Sequence, residues 1–556
     1  MPDWLDTRTP IHDRRRAERY LAGGSWSDRT TVERLREVCA RHAGRDAVAG
    51  PDGSLTYREL DERTDRIAAG LIALGLPRGA PVVVQIGNST ESVLAFYALL
   101  KCGAVPVAAL PAHRAHEIGP ISAAVGAVAH LVDAEASKGA LIPLARDNAA
   151  GNPAPVHLLT VGPAPAGFTR VSELGADVPA DRARAQVDAV QDRIHHEDVA
   201  VFQLSGGTTG TPKLIPRLHA EYWNNAVANS RALGRTPASR IGHVLPLLHN
   251  AGVINALFGA HVVGGCFVAV PFGRAAETMR LLIEHRVNDM MIGGPMASWL
   301  DEDPWDELAS ALEVVIFSGS KLPRSLFDAC TARGIWMGQT WGMAEGPYTS
   351  TRRTDPPGVR SATVGSPVYG ADDEMLIVDP VTHVPLPAGE TGMLVFRGPS
   401  TLAGYFDAPG HNRAAFTAEG LLLTGDLARL VERDGGRHLS IEGRLKDVIS
   451  RGGEKFSTEE VEKLLLQHPS IAEAAVVAMP DERLGERACA YLVPAEGLTA
   501  PSLTDVQKHF EGLGVAKYKW PERLELLPAL PRTATYKVNK VLLRTLAAEL
   551  GTARDA

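Results

Sequence analysis

Residues 55–110, LTYRELDERTDRIAAGLIALGLPRGAPVVVQIGNSTESVLAFYALLKCGAVPVAAL, decide the fold class of this chain. Apolar residues within 55–76 recur at helical spacing, and Thr56 followed by Glu59 has the form of a capping box. The runs PVVVQI and VPVAAL are typical of buried strands, and STESVLAFYALLKCGA between them predicts a second helix. This strand–helix–strand order predicts an α/β fold in which helices cover a largely parallel sheet.

The same order recurs around 241–270 and 313–340, whereas two other regions differ from it. The segment 136–197 is rich in Ala, Pro, Asp and Arg and has no clear period, so we expect surface loops or a variable outer lobe. After about residue 372, short apolar runs alternate with Pro/Gly turns, which predicts a smaller β unit.

A polar, glycine-containing stretch, GRLKDVISRGGEKFSTEEVEKLLLQHP, then leads into an amphipathic helix. We expect Ser457 to cap this helix, with Glu460 in the capping-box position. The residues that follow are enough for a small α+β domain. We therefore predict an N-terminal domain of residues 1–445 and a C-terminal domain of residues 446–556.

The composition is that of an ordinary globular protein, with 45% hydrophobic and 22% charged residues. The net charge of −8 gives no general reason to bind nucleic acid or an anionic membrane. We find no apolar run long enough to span a bilayer. Five widely spaced cysteines predict buried free thiols in a reducing, cytoplasmic compartment. The pair His195-His196 lies among acidic residues, so we interpret it as a polar connector rather than a metal site.

Residues 205–213, SGGTTGTPK, follow the apolar run DVAVFQL and carry the clearest chemical signal. Three glycines let the backbone approach a ligand closely, and the hydroxyls and Lys213 add donors and positive charge that suit a polyphosphate. The stretch is not a Walker A sequence. The alternative is an ordinary Gly/Thr turn.

Several motifs, in a fixed order, resemble those of the adenylate-forming superfamily, which includes acyl-CoA synthetases, peptide-synthetase adenylation domains and beetle luciferases. They are SGGTTGTPK at 205–213 (phosphate loop), QTWGMAE at 339–345 (adenine and magnesium), TGD at 424–426 (ribose), GRLKD at 443–447 with RGGEK at 451–455 (hinge and following loop), and PRTATYK at 531–537 (catalytic lysine). The resemblance covers nearly the whole chain. It implies two α/β subdomains plus a β-barrel-like unit, followed by a small mobile C-terminal domain.

The resemblance also implies ATP and Mg²⁺ and assigns a task to each motif. Lys537 is expected to contact the carboxylate and the α-phosphate, and Glu345 to hold Mg²⁺ with help from the hydroxyl of Thr208 or Thr209. Asp426 is expected to accept hydrogen bonds from the ribose, with Arg444 as a second contact. The implied nucleotide-binding set is Ser205, Gly206, Gly207, Thr208, Thr209, Lys213, Gly319, Ser320, Trp341, Gly342, Met343, Asp426, Arg444 and Lys537.

Two of these residues have a plainer alternative: Trp341 as a core aromatic and Lys537 as a solvated surface lysine. Lys446 occupies the hinge position of the superfamily, in which the C-terminal domain rotates between adenylate formation and thioester formation. The resemblance implies that Lys537 then leaves the site and the 451–455 loop faces it.

Among these enzymes, LPLLHNAGVINALFGAHVVGG resembles the stand-alone enzymes that activate 2,3-dihydroxybenzoate or salicylate. His249 and Asn250 match their His-Asn pair, whose amide can hydrogen-bond an ortho hydroxyl or amino group; the alternative is a helix cap. The implied aryl-acid pocket is His249, Asn250, Asn255, Ser318 and Gly342. Asn255 stands where a small residue is usual, and Ser318 and Tyr536 replace Gly. These departures leave several acids open: dihydroxybenzoate, salicylate, 3-hydroxyanthranilate, 3-hydroxypicolinate or another.

The implied acceptor is the phosphopantetheine thiol of a separate aryl or peptidyl carrier protein, or of CoA. The motifs do not discriminate between the two. No nucleic acid or membrane partner is expected, and the oligomeric state stays open, a homodimer included. A scaffold that has lost catalysis is a third hypothesis, against which the filled positions 345, 426, 444 and 537 argue.

Overall fold

The computed structural model describes residues 8–552 except 153–155, 206–211, 452–453, 482–483, 514, 516 and 534–535. The chain forms two compact units. One consists of Met1–Glu374 with Phe396–Leu422, and the other of Met375–Val395 with Leu423–Ala556. Strands on both sides of position 445 therefore fall in the second unit. The boundary between 1–445 and 446–556 stays a prediction about which part moves.

Within the described residues, the first unit contains a sheet of nine strands. In spatial order they are Ser366–Pro367, Tyr348–Ser350, Trp336–Gly342, Val314–Phe317, Asp289–Ile292, Arg240–His243, Cys266–Ala269, Asp46–Gly50 and Gly53–Thr56. The pairing is parallel from Asp46–Gly50 through Trp336–Gly342 and antiparallel at the two edges.

The second sheet of this unit has seven strands in the described part of the chain. They are Thr169–Arg170, His157–Val161, Ala129–Asp133, Pro81–Gln85, Val105–Ala108, Val199–Leu204 and Leu214–Leu218. Pro81–Gln85 pairs in parallel with Val105–Ala108, and Thr90–Lys101 is the helix between them. The predicted strand–helix–strand order is confirmed.

Helices cover both sheets. Those of the first unit are Arg14–Gly23, Thr31–Arg41, Tyr57–Ala73, Thr90–Lys101, Ala115–Val125, Leu141–Ala150, Ala180–Gln191, His219–Ala232, Phe258–His261, Ala275–Glu284, Trp305–Ala311, Arg324–Ala332, Pro357–Ala362 and Pro409–Ala415. Thr56 and Glu59 form the predicted capping box at the start of Tyr57–Ala73. A π-helical turn, Gly252–Leu257, precedes Phe258–His261.

The segment 136–197 is not a run of surface loops, which is one of the two alternatives expected from the sequence. It contains the helices Leu141–Ala150 and Ala180–Gln191 and two strands of the seven-stranded sheet. The second helix buries only Ala183, Val187 and Gln191. An apolar face this narrow and this small in volume leaves almost no period in the sequence.

The second unit is built mainly on two smaller sheets. The first has the order Glu374–Val378, Gly392–Arg397, Leu422–Arg433 and Gly436–Arg444. The other has the order Glu454–Ser457, Val448–Arg451, Gly485–Pro494 and Ile471–Asp481, and Arg523–Leu526 pairs with Gly485–Pro494. Its helices are Thr458–Leu465, Leu503–Gly512 and Lys540–Thr552.

Ser457 does cap the helix Thr458–Leu465, but through the backbone N–H of Glu459. The predicted capping-box role of Glu460 is wrong. Its carboxylate accepts instead from the ammonium of Lys519 at 2.6 Å, because a full opposite charge is a stronger partner than a backbone amide.

All five cysteines are buried and free, as predicted. His195 and His196 lie in the connector between Ala180–Gln191 and Val199–Leu204, where the backbone N–H of His195 donates to Asp198. No helix in the described ranges is long and apolar enough to cross a membrane.

Candidate active site

The predicted phosphate loop begins and ends at a hairpin. Val199–Leu204 pairs antiparallel with Leu214–Leu218, and two bonds close the neck of the loop between them. The N–H of Ser205 donates to the carbonyl of Lys213 at 3.0 Å, and the N–H of Lys213 donates to Oγ of Ser205 at 2.9 Å. The predicted residues Gly206, Gly207, Thr208 and Thr209 lie outside the described residues.

Glu345 and Lys213 are brought near each other in the first unit. Glu345 is only 7% exposed, and its Oε1 accepts from the hydroxyl of Tyr405 at 2.9 Å. The Lys213 ammonium lies 5.3 Å from the centre of the Tyr405 ring. Burial lowers the pKa of Lys213, and the charge of Glu345 partly offsets this. A buried carboxylate beside a desolvated lysine is an arrangement suited to an anion and its counter-cation.

The strand Trp336–Gly342 ends at several predicted residues. Gly342 is exposed, and a Cβ at this position would lie 2.6 Å from the Tyr348 ring, so only glycine fits. Trp341 is buried, and its roles as an adenine contact or as a core aromatic both stay predictions. Oγ of Ser318 donates to the carbonyl of Thr340 at 3.2 Å, which fixes that side chain beside the strand. Gly319 and Ser320 follow on an exposed loop, with Gly319 at a φ of 89°.

Asn250 lies at the centre of a buried hydrogen-bond network. Its Oδ1 accepts from Nη1 of Arg217 and from the hydroxyl of Tyr222, both at 3.1 Å. Its Nδ2 donates to the carbonyl of Met343 at 3.3 Å. The side chain of Asn250 therefore makes tertiary contacts and does not act as a helix cap. Next to it, Nδ1 of His249 accepts from the N–H of Ala251 at 3.4 Å.

Asn255 is fixed more deeply, on the π-helical turn Gly252–Leu257. Its Oδ1 accepts from Nδ2 of Asn229 and from the hydroxyl of Tyr348, both at 2.6 Å. Its backbone carbonyl accepts from Arg235, which forms a buried two-bond ion pair with Asp289 at 2.8 Å. π-Helical turns leave a carbonyl without its regular helical donor, and Arg235 supplies one here.

In the second unit, the predicted residues form a cluster of charges around Asp426. This carboxylate is buried and pairs with Arg444, with 2.8 Å between Oδ1 and Nε. The turn before it is held by Thr424, whose Oγ1 accepts from the N–H of Asp426 at 3.1 Å and donates to the carbonyl of Leu394 at 2.7 Å. Gly425 has a φ of 71°, which explains the glycine of this motif.

Two lysines belong to this cluster. Lost hydration lowers the pKa of Lys537, although its side chain reaches the surface; the cation of Arg444 lowers it further, and Asp426 raises it. Lost hydration likewise lowers the pKa of Lys446, with additional lowering from Arg444 and Arg544 and an opposing effect of Asp426. Three cations thus share one buried carboxylate, which leaves excess positive charge suited to phosphate oxygens.

Sequence reasoning missed the residues that hold the predicted ones in place. They are Arg217, Glu221, Tyr222, Asn229, Tyr348 and Tyr405. Arg217 and Glu221 carry a usable signal, because two opposite charges four residues apart stand among apolar and aromatic neighbours. The others read as ordinary core residues.

The chain belongs to the AMP-binding enzyme family. That family matches residues 35–406, and the family of AMP-binding enzyme C-terminal domains matches residues 460–537. The predicted superfamily and α/β fold class are thereby confirmed.

Relatives and one solved structure narrow the comparison. The chain is 37% identical over 555 residues to a salicyl-AMP ligase / salicyl-S-ArCP synthetase of Mycobacterium tuberculosis, covering 97% of this chain and 94% of that one. It is 35% identical over 547 residues to a 2,3-dihydroxybenzoate-AMP ligase of Bacillus subtilis, covering 96% of each. The apo structure of Mycobacterium smegmatis MbtA matches with a TM-score of 0.73 and 34% identity, over 98% of this chain and all of that one.

Proposed function

We propose that this chain is an aryl-acid–AMP ligase. It activates a hydroxy- or amino-hydroxybenzoate-type acid with ATP, releases pyrophosphate, and passes the aryl group to a phosphopantetheine thiol in siderophore or other secondary-metabolite biosynthesis. The observation that carries the proposal is the neutral amide of Asn250, held in a buried network in a chain similar to salicylate and dihydroxybenzoate ligases. A neutral group here suits an acid without an α-ammonium group.

The first half-reaction joins two anions. A carboxylate oxygen of the acid attacks the α-phosphorus of ATP, the bond between the α-phosphorus and the bridging oxygen breaks, and pyrophosphate leaves. Lys537 contacts the carboxylate and the α-phosphate in this proposal, and Asp426 and Arg444 hold the ribose and phosphates. Fixed positive charge stabilises the charge that develops in the transition state without reorganisation.

Glu345 and Thr208 hold Mg²⁺ in this proposal. The donor chemistry at Glu345 fits, because Mg²⁺ prefers oxygen ligands and the carboxylate is buried beside Lys213, where phosphates are expected. When bound, the ion neutralises phosphate charge. The ring of Tyr405 and its bond to Glu345 keep the carboxylate in one orientation.

The second half-reaction transfers the aryl group to a thiol. The sulfur forms a bond to the carbonyl carbon, the bond from that carbon to AMP breaks, and AMP leaves. We propose that the acceptor is a separate carrier protein, that the C-terminal part turns about Lys446 between the two steps, and that the enzyme acts in the cytoplasm. All five cysteines are buried, so the acceptor supplies the thiol.

ATP–pyrophosphate exchange measured across a panel of aromatic acids tests the adenylation step. We expect exchange that depends on at least one ortho-substituted aromatic acid. The absence of exchange with every acid would favour the scaffold hypothesis instead. Adding either CoA or a carrier protein that bears a free phosphopantetheine thiol to the active reaction then separates the two acceptors. Formation of the aryl thioester on CoA alone would make the chain an aryl-CoA ligase.

A further inference from the structure

Beneath Asn250 lies an ion pair with almost no access to water. Nε and Nη2 of Arg217 donate to the two carboxylate oxygens of Glu221 at 2.8 and 2.7 Å, and the side chains are 1% and 4% exposed. Burial acts to lower the pKa of Arg217, but the Glu221 carboxylate outweighs it and raises that pKa. Burying such a pair is unfavourable unless its remaining hydrogens are also bonded.

The remaining Nη1 of Arg217 makes two bonds that point to a purpose beyond charge neutralisation. It donates to Oδ1 of Asn250 at 3.1 Å and to the carbonyl of Ala344 at 3.2 Å. A guanidinium has donors and no acceptor. The atom of Asn250 that faces it must therefore be the oxygen, and the amide cannot turn over without placing two donors against each other.

A second donor completes this orientation. The hydroxyl of Tyr222 donates to the same Oδ1 at 3.1 Å, while its own oxygen accepts from Nε2 of Gln203 at 2.9 Å. Both lone pairs of the Asn250 oxygen are thus in use. On the nitrogen side, one N–H donates to the carbonyl of Met343, and none of the described residues accepts from the other.

We propose that Arg217, held by Glu221, is a positioning residue that fixes the Asn250 amide with one N–H toward the bound acid, so that the enzyme selects acids with a hydrogen-bond acceptor ortho to the carboxylate. This inference rests on the proposed function of the same site. It excludes ortho-amino acids such as 3-hydroxyanthranilate from the candidate substrates and keeps ortho-hydroxy acids and acids with an ortho ring nitrogen.

The chemistry of the two ring substituents explains the selection. The hydroxyl of salicylate donates to its own carboxylate, and its oxygen keeps lone pairs for the N–H of Asn250. The amino group of anthranilate also donates to the carboxylate, but its lone pair is delocalised into the ring and its second N–H would face the N–H of Asn250. A buried site that leaves a donor facing a donor rejects such a ligand strongly.

ATP–pyrophosphate exchange kinetics with salicylate, anthranilate and benzoate test, on the whole enzyme, whether Asn250 acts as a hydrogen-bond donor to the acid. We expect the wild type to have a kcat/KM for salicylate about 100-fold or more above that for anthranilate. Asn250→Asp replaces the N–H by an acceptor of the same shape, and we expect its anthranilate-to-salicylate ratio to rise at least about tenfold. A wild type that prefers anthranilate, or a ratio that Asn250→Asp leaves unchanged, would overturn the inference. A wild type with no exchange on any acid contradicts the proposed function instead.

Arg217→Lys tests the positioning role, because it keeps a charge for Glu221 but loses the planar set of donors. We expect the salicylate-to-benzoate ratio of kcat/KM to fall about tenfold, mainly through KM for the acid. The double variant with Arg217→Lys and Asn250→Ala should have the same salicylate-to-benzoate ratio as Asn250→Ala alone. An equal further loss there would show that Arg217 does not act through Asn250.

Two more variants keep this test conclusive. Arg274→Lys is the matched control, since Arg274 forms an exposed pair with Glu277 at the start of the helix Ala275–Glu284, and we expect no change in the ratio. If Arg217→Lys does not fold, as judged by thermal unfolding, Tyr222→Phe removes one of the two donors without altering charge. We expect Tyr222→Phe to lower the salicylate-to-benzoate ratio by a smaller factor, and an unchanged ratio would overturn the inference.

Discussion

Two polar regions of this molecule differ in the balance between their charged or polar groups and the partners of those groups. Around Asn250, in the first unit, the oxygen lone pairs are both bonded, and the central ion pair is almost fully buried. Around Asp426, in the second unit, three cations share one carboxylate, and two of them have exposed side chains with lowered pKa values. In the first region every bond to the Asn250 oxygen is made before a ligand binds and one N–H is left over, whereas the second region has an excess of positive charge.

If the proposed function is correct, the two regions have different tasks. A buried network whose oxygen is bonded on both sides has one orientation, so its remaining N–H discriminates between ligands that differ by one polar group. A cluster of like charges is unfavourable by itself, and a bound anion reduces the repulsion. Such a cluster therefore favours phosphate binding but does not discriminate between different acids. We expect changes in the first region to alter the choice of acid and changes in the second to alter the rate with every acid.

The largest expected effect is that of Lys537→Ala. Because it removes a cation from the α-phosphate, we expect exchange to fall by about 10²–10³ with every acid. Thioester formation from a synthetic aryl-adenylate should stay largely intact, as measured by release of AMP in the presence of the thiol acceptor. An equal loss in both half-reactions would show that Lys537 does not serve adenylation alone.

Asn250→Ala should have a smaller and selective effect. Loss of one hydrogen bond to the acid, and of the partner of Arg217, should lower kcat/KM for salicylate by about 10- to 100-fold. The value for benzoate should change much less, since benzoate has no ortho substituent. A uniform loss on both acids would make Asn250 a structural residue and remove the contrast between the two regions.

Glu345→Gln keeps the shape of the side chain and its contact with Tyr405 but removes the negative charge. We expect the Mg²⁺ concentration for half-maximal exchange to rise about tenfold, because a carboxylate is a stronger ligand than an amide for this ion. Exchange rates measured over a Mg²⁺ titration check this, and Glu313→Gln, a change in an exposed glutamate, is the control. An unchanged titration would place the metal elsewhere.

The smallest expected effect concerns protons. The pKa of Lys537 is lowered in the free enzyme, so at alkaline pH, below the usual lysine range, part of it is deprotonated. A bound triphosphate raises this pKa, and binding must then take up protons. Calorimetry of ATP binding in two buffers with different ionisation enthalpies measures this uptake, which Lys537→Met should remove. No uptake in the wild type would mean that Lys537 does not meet the phosphates.

The strength of the apolar pattern explains both why the sequence predicted the strand–helix–strand core and why it did not predict the helices and strands of 136–197. The strands and the helix of residues 81–108 are buried almost throughout and form continuous apolar runs, whereas Ala180–Gln191 buries only Ala183, Val187 and Gln191, so its apolar signal is weak. Predictions of helix caps also had mixed success. Thr56 caps its helix as predicted, but the carboxylate of Glu460 pairs with Lys519, which is 59 residues away in the chain.

The sequence by itself determined the family, the order of the motifs and the type of residue at each site position. Each catalytic or binding task requires a particular type of side chain, and the sequence gives the type of side chain directly. Only the tertiary structure decided how those side chains are turned. The oxygen of Asn250 faces Arg217, 33 residues away, and Asn255 is held by Tyr348, 93 residues away. Hydrogen bonds have direction, and their partners meet only when the chain has folded. The orientation of the Asn250 amide, on which the proposed selection of acids depends, is therefore a property of the fold.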